Sequence, residues 1–216
     1  QVVQAIDDLS RELSSMCDGL QNLRQRADHE IDVAIGELNE QLQLIDDLNV
    51  KIVSADARGQ ASGGLRDKRD VALNKISELV NISYFENSDG AVSIQTGAGK
   101  VLLDVDPQTI TFSSANDLRA NIAYDPDRPD SDPEIGTVSG IFVNGEDISQ
   151  ELRGGEIKAL IDIRDEIAPD LVAAIDELGQ ELRDGLNAVH NEGTAFPPKN
   201  ALVGSEFFGF DHLGTD

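Results

Sequence analysis

The sequence is poor in sulfur and in aromatic side chains: it has no tryptophan, one cysteine and one methionine, and aromatic residues make up 4% of its 216 positions. Leu, Ile, Val and Ala must therefore fill any core, as is usual for helix-rich structural proteins. With Cys17 as the only cysteine, the chain can form neither an intramolecular disulfide nor a cysteine-based zinc site. Cys17 follows Met16 in an apolar helical pattern, which predicts a buried thiol that packs as a small hydrophobic side chain.

Positive charge is also scarce, because 17 Lys and Arg stand against 41 Asp and Glu, giving a formal net charge of -24. Nucleic acids and anionic lipid headgroups are bound by clustered Lys and Arg, so we expect no nucleic-acid partner. No apolar run approaches the roughly 20 residues of a membrane span, and no basic-then-apolar signal peptide is present. We therefore expect no membrane insertion, and the sequence is consistent with the cytoplasm or with export by a route that uses no cleaved signal. Because the chain begins with Gln1, we expect a fragment of a longer protein.

Histidines and aspartates show no spacing that is typical of a metal site. His29, His190 and His212 have no partner at zinc-ligand spacing. A cluster of four aspartates could hold Ca²⁺, but it lacks the glycine of an EF-hand loop, so a solvated acidic loop is favoured; its members are Asp125, Asp127, Asp130 and Asp132. We expect no metal and no cofactor.

No catalytic motif is complete. The Gly97-Ala98-Gly99-Lys100 segment resembles part of a phosphate loop, but the Walker spacing and the following Ser or Thr are missing, and a hairpin turn explains it better. No Gly-x-Ser-x-Gly elbow is present either. We therefore predict no enzymatic activity.

Long helices dominate the first part of the chain. Apolar residues recur in steps of three and four over residues 3–52, which predicts a helix of about fifty residues, or two nearly collinear ones, with Gly19 or Gly36 as a possible bend. Residues 54–64 predict a turn. A second helix then begins near Leu65 and packs back on the first as an antiparallel hairpin.

The middle of the chain changes to a period of two after Asn81, and the dipeptides Asp89-Gly90 and Asn144-Gly145 predict hairpin turns. Residues 125–133, rich in Pro and Asp, predict an exposed loop in this region. A third long helix follows Gly154-Gly155, and Pro169 should kink it or begin a new segment.

These patterns predict an α+β fold: a long, antiparallel, discontinuous helical bundle with an inserted small antiparallel β domain. The helical domain comprises residues 1–80 and 150–193, and the β insertion residues 81–149. Residues 194–216 are a linker or the start of a further region.

Two helix starts share a glycine pair ahead of an Arg-Asp dipeptide. The first contains Leu65-Arg66-Asp67-Lys68-Arg69-Asp70, and the second runs from Gly154-Gly155 to Arg164-Asp165. Together with Asn187-Ala188-Val189-His190 they stand in the order found in flagellar hook-associated protein 1. Over roughly residues 1–193 the chain resembles the central part of that family, without both terminal segments.

The resemblance implies a structural adapter at the hook-filament junction of the bacterial flagellum, exported without a cleaved signal peptide and placed outside the cell. Its implied partners are further copies in a ring, the hook protein, a neighbouring hook-associated protein and the flagellar export apparatus. Candidate structural or interaction residues are Leu65, Arg66, Arg69, Asp70, Gly154, Gly155, Arg164, Asp165, Asn187 and His190.

The charged members of the two segments are predicted to form an exposed polar contact between them, contributing roughly 0–1 kcal/mol. They are Arg66, Arg69, Asp70, Arg164 and Asp165. The alternative function is a free-standing coiled-coil interaction protein or surface-binding, adhesin-like protein, also without enzymatic activity.

Overall fold

A single long helix organises the molecule. The structure, a computed structural model, describes residues 2–115, 117–118, 122–129 and 137–192. Helix α1 (Val2–Ala57) is unbroken through Gly19 and Gly36, and its 56 residues span about 84 Å. It ends where Gly59 takes a positive φ of 65°, a conformation that costs glycine little. The prediction of a long first helix is confirmed.

Two further helical segments pack antiparallel to α1. Helix α2 (Gly63–Leu79) folds back as predicted, with Lys75 beside Glu37 at 3.9 Å. Helix α3 (Glu156–Asp162) passes through a π-helical turn (Ile163–Ile167) into α4 (Ala168–Glu192).

Pro169 is the second residue of α4, so a new helical segment begins there as predicted. Proline cannot donate a backbone hydrogen bond, and its ring clashes with the carbonyl four residues earlier. The preceding π turn widens the helix at this point, with the Ala168 N–H bonded to the Ile163 carbonyl.

The described residues between α2 and α3 include eight short strands. They form two antiparallel three-stranded sheets, ordered β1-β2-β3 and β4-β7-β8, and one parallel pair, β5-β6. The predicted turns at Asp89-Gly90, Gly97-Lys100 and Asn144-Gly145 join β1 to β2, β2 to β3 and β7 to β8. Their bounds are β1 Ile82–Glu86, β2 Val92–Thr96, β3 Val101–Leu103, β4 Ile110–Thr111, β5 Ala123–Tyr124, β6 Thr137–Val138, β7 Phe142–Val143 and β8 Glu146–Asp147.

One hydrophobic cluster joins the helices to the strands. It contains Ile31 and Leu42 of α1, Ile76 of α2, Ile94 of β2 and Ile157 of α3. The predicted fold class, helical with small antiparallel sheets, is confirmed. The division into a helical domain and a β insertion domain stays a prediction, because this cluster draws on both.

The second predicted glycine pair has a steric role. Gly155 has a φ of 92°, and a Cβ atom there would lie 2.5 Å from the Leu79 carbonyl oxygen. The Gly154 carbonyl accepts a hydrogen bond from the Asn81 N–H at 3.1 Å. The pair therefore lets the start of α3 pass against the end of α2 at backbone contact distance.

Several predicted features lie partly outside the described residues. Asp125 accepts a hydrogen bond from the Asp127 N–H at 3.0 Å, as in a surface turn, but Asp130, Asp132, His212 and residues 194–216 are not described. Within the described ranges no group of three or more His, Cys, Asp or Glu could hold a metal ion. No described helix is long and apolar enough to cross a membrane.

Candidate functional site: two arginine clusters along the long helix

Polar side chains of α1 bind the backbone of the strand region. The amide of Asn49 accepts from the Val92 N–H at 3.0 Å and donates to the Val92 carbonyl at 2.9 Å. Asn39 makes the same pair of bonds to Ile110, at 3.1 and 2.8 Å. Each amide satisfies both main-chain groups of one residue, as a neighbouring strand would.

The same arrangement continues towards the N-terminus of α1. Gln25 accepts from the Leu118 N–H at 2.6 Å and donates to the Ala115 carbonyl at 2.8 Å, and Gln21 donates to the Leu118 carbonyl. The bonds from Gln21 to Asn49 cover about 42 Å of one helix. Helix α1 thus holds in place the irregular segments at Ala115 and Leu118 as well as the strands.

Around Arg69, α2 is joined to α1 and to the first β-hairpin. Its side chain is 3% exposed and donates to the Asn49 side-chain oxygen at 3.1 Å, the Gly90 carbonyl at 2.6 Å and Glu86 at 3.2 Å. Within the described residues its Nε has no hydrogen-bond partner. We call Arg66, Arg69, Asn49, Asp56 and Glu86 the Arg69 cluster.

Arg66 completes this cluster one helical turn earlier. It donates to the second oxygen of Glu86 at 2.5 Å and to Asp56 at 2.9 Å. Hydrogen bonds from Ser62 and then Arg66 lower the pKa of Asp56. A Cβ atom at Gly90, where φ is 92°, would lie 3.0 Å from the Arg66 guanidinium, so the turn comes close because this residue is glycine.

A second cluster surrounds Arg164 in the π turn. Arg164 is 1% exposed and donates to Asp28 of α1 at 2.9 Å, to both oxygens of Asp165 at 2.8 Å and to the Ser139 carbonyl at 3.3 Å. Its guanidinium carbon lies 5.6 Å from the centre of the Phe112 ring, a cation-π contact. Arg24, Asp28, Arg164 and Asp165 form what we call the Arg164 cluster.

Asp28 and Arg24 connect the Arg164 cluster to the neighbouring loop. Asp28 is fully buried, and its second oxygen accepts from the Ala115 N–H at 2.6 Å. Arg24 donates to the Arg164 carbonyl at 2.8 Å and to the Ile122 carbonyl at 2.7 Å. The cluster therefore links α1, the π turn and the loop that follows β4.

The charges of the Arg164 cluster balance one another. Burial works against the charged form of Arg164, but hydrogen bonds and charge from Asp165 and Asp28 raise its pKa. Burial lowers the pKa of Arg24, and the nearby Arg164 lowers it further, while Asp165 and Asp28 act in the opposite direction. Two arginines and two aspartates thus share one buried site.

The predicted contact between the two Arg-Asp segments is wrong. The hydrogen bonds of Arg69 reach Asn49, whereas those of Arg164 reach Asp28, 21 positions and about 32 Å away along α1. The predicted exposure is also wrong for both arginines, because the helix faces on which they lie are turned inward. Each segment instead anchors its own helix to α1.

The remaining predicted site residues lie apart from the clusters. Leu65 is half-buried at the start of α2, and Asp70 is exposed on the same helix. Asn187 is half-buried and His190 exposed near the end of α4. Cys17 is buried, as predicted, and burial together with Asp176 and Asp18 raises its thiol pKa.

Residues that the sequence reasoning missed are the polar partners on α1. Arg24, Asp28 and Asn49 stand next to apolar stripe positions and are themselves at least 95% buried. In the sequence, each of them is a charged or amide residue that adjoins an otherwise apolar stripe, and this position is the feature that could have revealed it. Buried polar groups need partners, so such positions predict a tertiary hydrogen bond, although not its identity.

The fold is thus one long helix that holds strands and two further helices through buried polar clusters. A family model described as "Flagellar hook-associated protein FlgK helical domain" matches residues 1–208. The chain belongs to this family.

Comparison with individual proteins agrees with this family. The chain is 23% identical over 205 residues to flagellar hook-associated protein 1 of Bacillus subtilis (strain 168), covering 89% of this chain and 40% of that protein. Its fold is similar to the flagellar hook junction protein FlgK from Burkholderia pseudomallei, with a TM-score of 0.63, 21% identity, and coverage of 88% of this chain and 32% of that one. The chain thus spans less than half the length of these relatives.

Proposed function

We propose that this chain is the helical, force-bearing part of an adapter that joins hook and filament at the junction of the bacterial flagellum. The observation that carries the proposal is the family match over residues 1–208. The same match favours this function over a free-standing coiled-coil or adhesin-like protein.

The two arginine clusters suit a mechanical role. A load along α1 would have to break several buried hydrogen bonds together before the strands or α4 could slide. Arg66, Arg69, Arg164 and Asp165 act in this proposal as positioning residues. Gly154 and Gly155 keep α3 close to α2. The exposed Asp70 and His190, and the half-buried Leu65 and Asn187, remain candidates for contact with neighbours.

The proposal extends to the setting of the parent protein. It works outside the cell in a ring of copies, between the hook protein and a neighbouring hook-associated protein, after passage through the flagellar export apparatus without a cleaved signal peptide. It has no enzymatic activity and uses no cofactor. A chain with one cysteine needs no disulfide to refold after export.

Complementation tests the proposal. The full-length parent is expressed in a flagellated bacterium that lacks its own hook-associated protein 1, and hooks are inspected by electron microscopy. Filaments attached to hooks would support the adapter function. Bare hooks, with the parent detected in the culture medium as exported protein, would contradict it; the empty vector is the matched control.

A further inference from the structure

Six of the chain's 17 Lys and Arg residues lie at one end of the molecule. Residues 51–75, at the turn between α1 and α2, contain six Lys or Arg and three Asp, a net charge of +3. Since the whole chain carries -24, the other residues carry -27. We call residues 51–75 the basic tip.

A cleft opens on the basic tip. Its volume is about 380 Å³, within the range of small-ligand pockets. Val50, 64% exposed, lies on its rim, and Lys51 and Arg58 flank it seven residues apart on α1, about 10 Å along the helix axis. The lining residues are Val50, Lys51, Ser54, Ala55, Arg58, Gln60, Ala61 and Leu65.

Lys51 and Arg58 are the cations of the tip that face outward at this cleft. Arg66 and Arg69 are held by Asp56, Glu86 and Asn49 in the Arg69 cluster. Both Lys51 and Arg58 are exposed, and in the described part of the chain neither makes an ion pair. The cleft therefore combines apolar walls with positive charge.

The opposite end of the molecule has the complementary surface. Helix α4 carries six Asp or Glu and one Arg. Glu177 and Asp184 lie seven residues apart on it, the same spacing as Lys51 and Arg58, and Asp184 also pairs with Arg183 of the same helix at 2.9 Å. Leu178, 46% exposed, lies beside Glu177. We call α4 the acidic arm.

The two ends of one molecule cannot meet. Cys17, whose pKa is affected by Asp176 of the acidic arm, lies 34 residues from Lys51 along α1, about 51 Å away. At roughly 0.1 M ionic strength charges are screened over about 10 Å, so each end interacts only with what touches it.

We propose that the basic tip binds the acidic arm of a second copy of this chain, with Leu178 in the cleft and Glu177 and Asp184 against Lys51 and Arg58. Outside the tip the chain carries a net charge of -27, so the tip is where charge favours contact with a second copy. The contact is heterologous, because each copy uses a different surface, and it can therefore add further copies or close into a ring.

Charge exchange tests this contact on the isolated chain. One variant carries Lys51→Glu and Arg58→Glu, and a second carries Glu177→Lys and Asp184→Lys. Sedimentation velocity is recorded over a concentration series at roughly 0.1 M and roughly 1 M salt. The original chain is expected to associate weakly at the lower salt concentration and to be monomeric at the higher one.

Each variant alone is expected to bind itself at least tenfold more weakly than the original chain, and an equimolar mixture of the two to regain association. A control with Arg128→Glu and Arg153→Glu changes the net charge equally at two other exposed positions and should keep association. A monomeric original chain at high concentration, variants that associate as before, or a mixture that stays monomeric would each overturn the proposal.

This contact rests on the proposed function, in which copies of the protein form a ring. The tip-to-arm contact and the junction function can nevertheless be tested separately. Absence of association in sedimentation together with successful complementation would reject only the tip-to-arm contact. Charge-exchange behaviour as expected together with failed complementation would reject only the junction function.

Discussion

Removal of the Arg164 side chain is expected to be among the most damaging single changes in the protein. Arg164→Met keeps most of the apolar volume but leaves Asp28, 0% exposed, without its ion-pair partner. Loss of one partner of a buried pair costs about 3–5 kcal/mol. Arg24 remains near Asp28, so a value at the low end of this range is expected.

Removing the charge of Asp28, the other partner of this pair, should cost less. Asp28→Asn removes the charge while Arg164 keeps both oxygens of Asp165. Arg164 and the Ala115 N–H donate to different oxygens of Asp28, and in Asn one of these positions becomes an NH2 donor, so one buried donor loses its bond, at about 1–3 kcal/mol.

The double variant distinguishes a coupled pair from two separate defects. Because an uncharged amide at position 28 needs no cation, adding Arg164→Met to Asp28→Asn should cost at least about 1.5 kcal/mol less than Arg164→Met alone. Urea unfolding followed by circular dichroism gives the free energies. In thermal melts, each kcal/mol corresponds to roughly 2–4 °C for a chain of this length.

The pair Arg183–Asp184 on α4 provides a matched control. Arg183 also pairs with the aspartate that follows it, Asp184, but at the surface, where the Asp184 side chain is 69% exposed. Arg183→Met should change stability by about 0–1 kcal/mol. Equal effects of Arg164→Met and Arg183→Met, or additive effects in the double variant, would refute the buried-pair reasoning.

Three further changes test other parts of the account. Asn49→Ala should cost about 1–3 kcal/mol in urea unfolding, because Val92 and Arg69 lose buried partners, whereas the exposed Asn74→Ala should cost little. Gly155→Ala should cost about 1–3 kcal/mol of stability through positive φ and backbone overlap, and so lower the melting temperature, while Gly64→Ala in the open first turn of α2 should not. The lowered pKa of Asp56 means that it stabilises the fold above its unfolded pKa of about 3.9 and that this contribution disappears as pH falls through the lower folded value. The stability lost in Asp56→Asn should accordingly be present at pH 7 and vanish in strong acid; a loss independent of pH would contradict the assignment.

The sequence predicted the features that depend on local patterns. The three-and-four spacing of apolar residues predicted α1, and Asp89-Gly90 and Asn144-Gly145 predicted turns that require positive φ. Pro169 predicted a new helical segment because its chemistry acts on its own neighbourhood.

Features that depend on distant partners could not be predicted in the same way. The burial of Arg164 requires the π turn, Asp28 of α1 and the ring of Phe112, which lie far apart in the chain. The parallel pairing of β5 with β6 likewise joins segments with no pattern linking them. An Arg-Asp dipeptide alone is typical of a solvated helix face, so the sequence predicts exposed pairs where the structure has buried clusters.

The most direct test of the central claim is the position of the parent protein on the flagellum. A short epitope inserted after the exposed Asp127 can be labelled with gold in the cell of origin and located by electron microscopy. The account predicts label at a single place on each flagellum, where the hook meets the filament. Label distributed along the filament, or on the cell body with none on flagella, would contradict it.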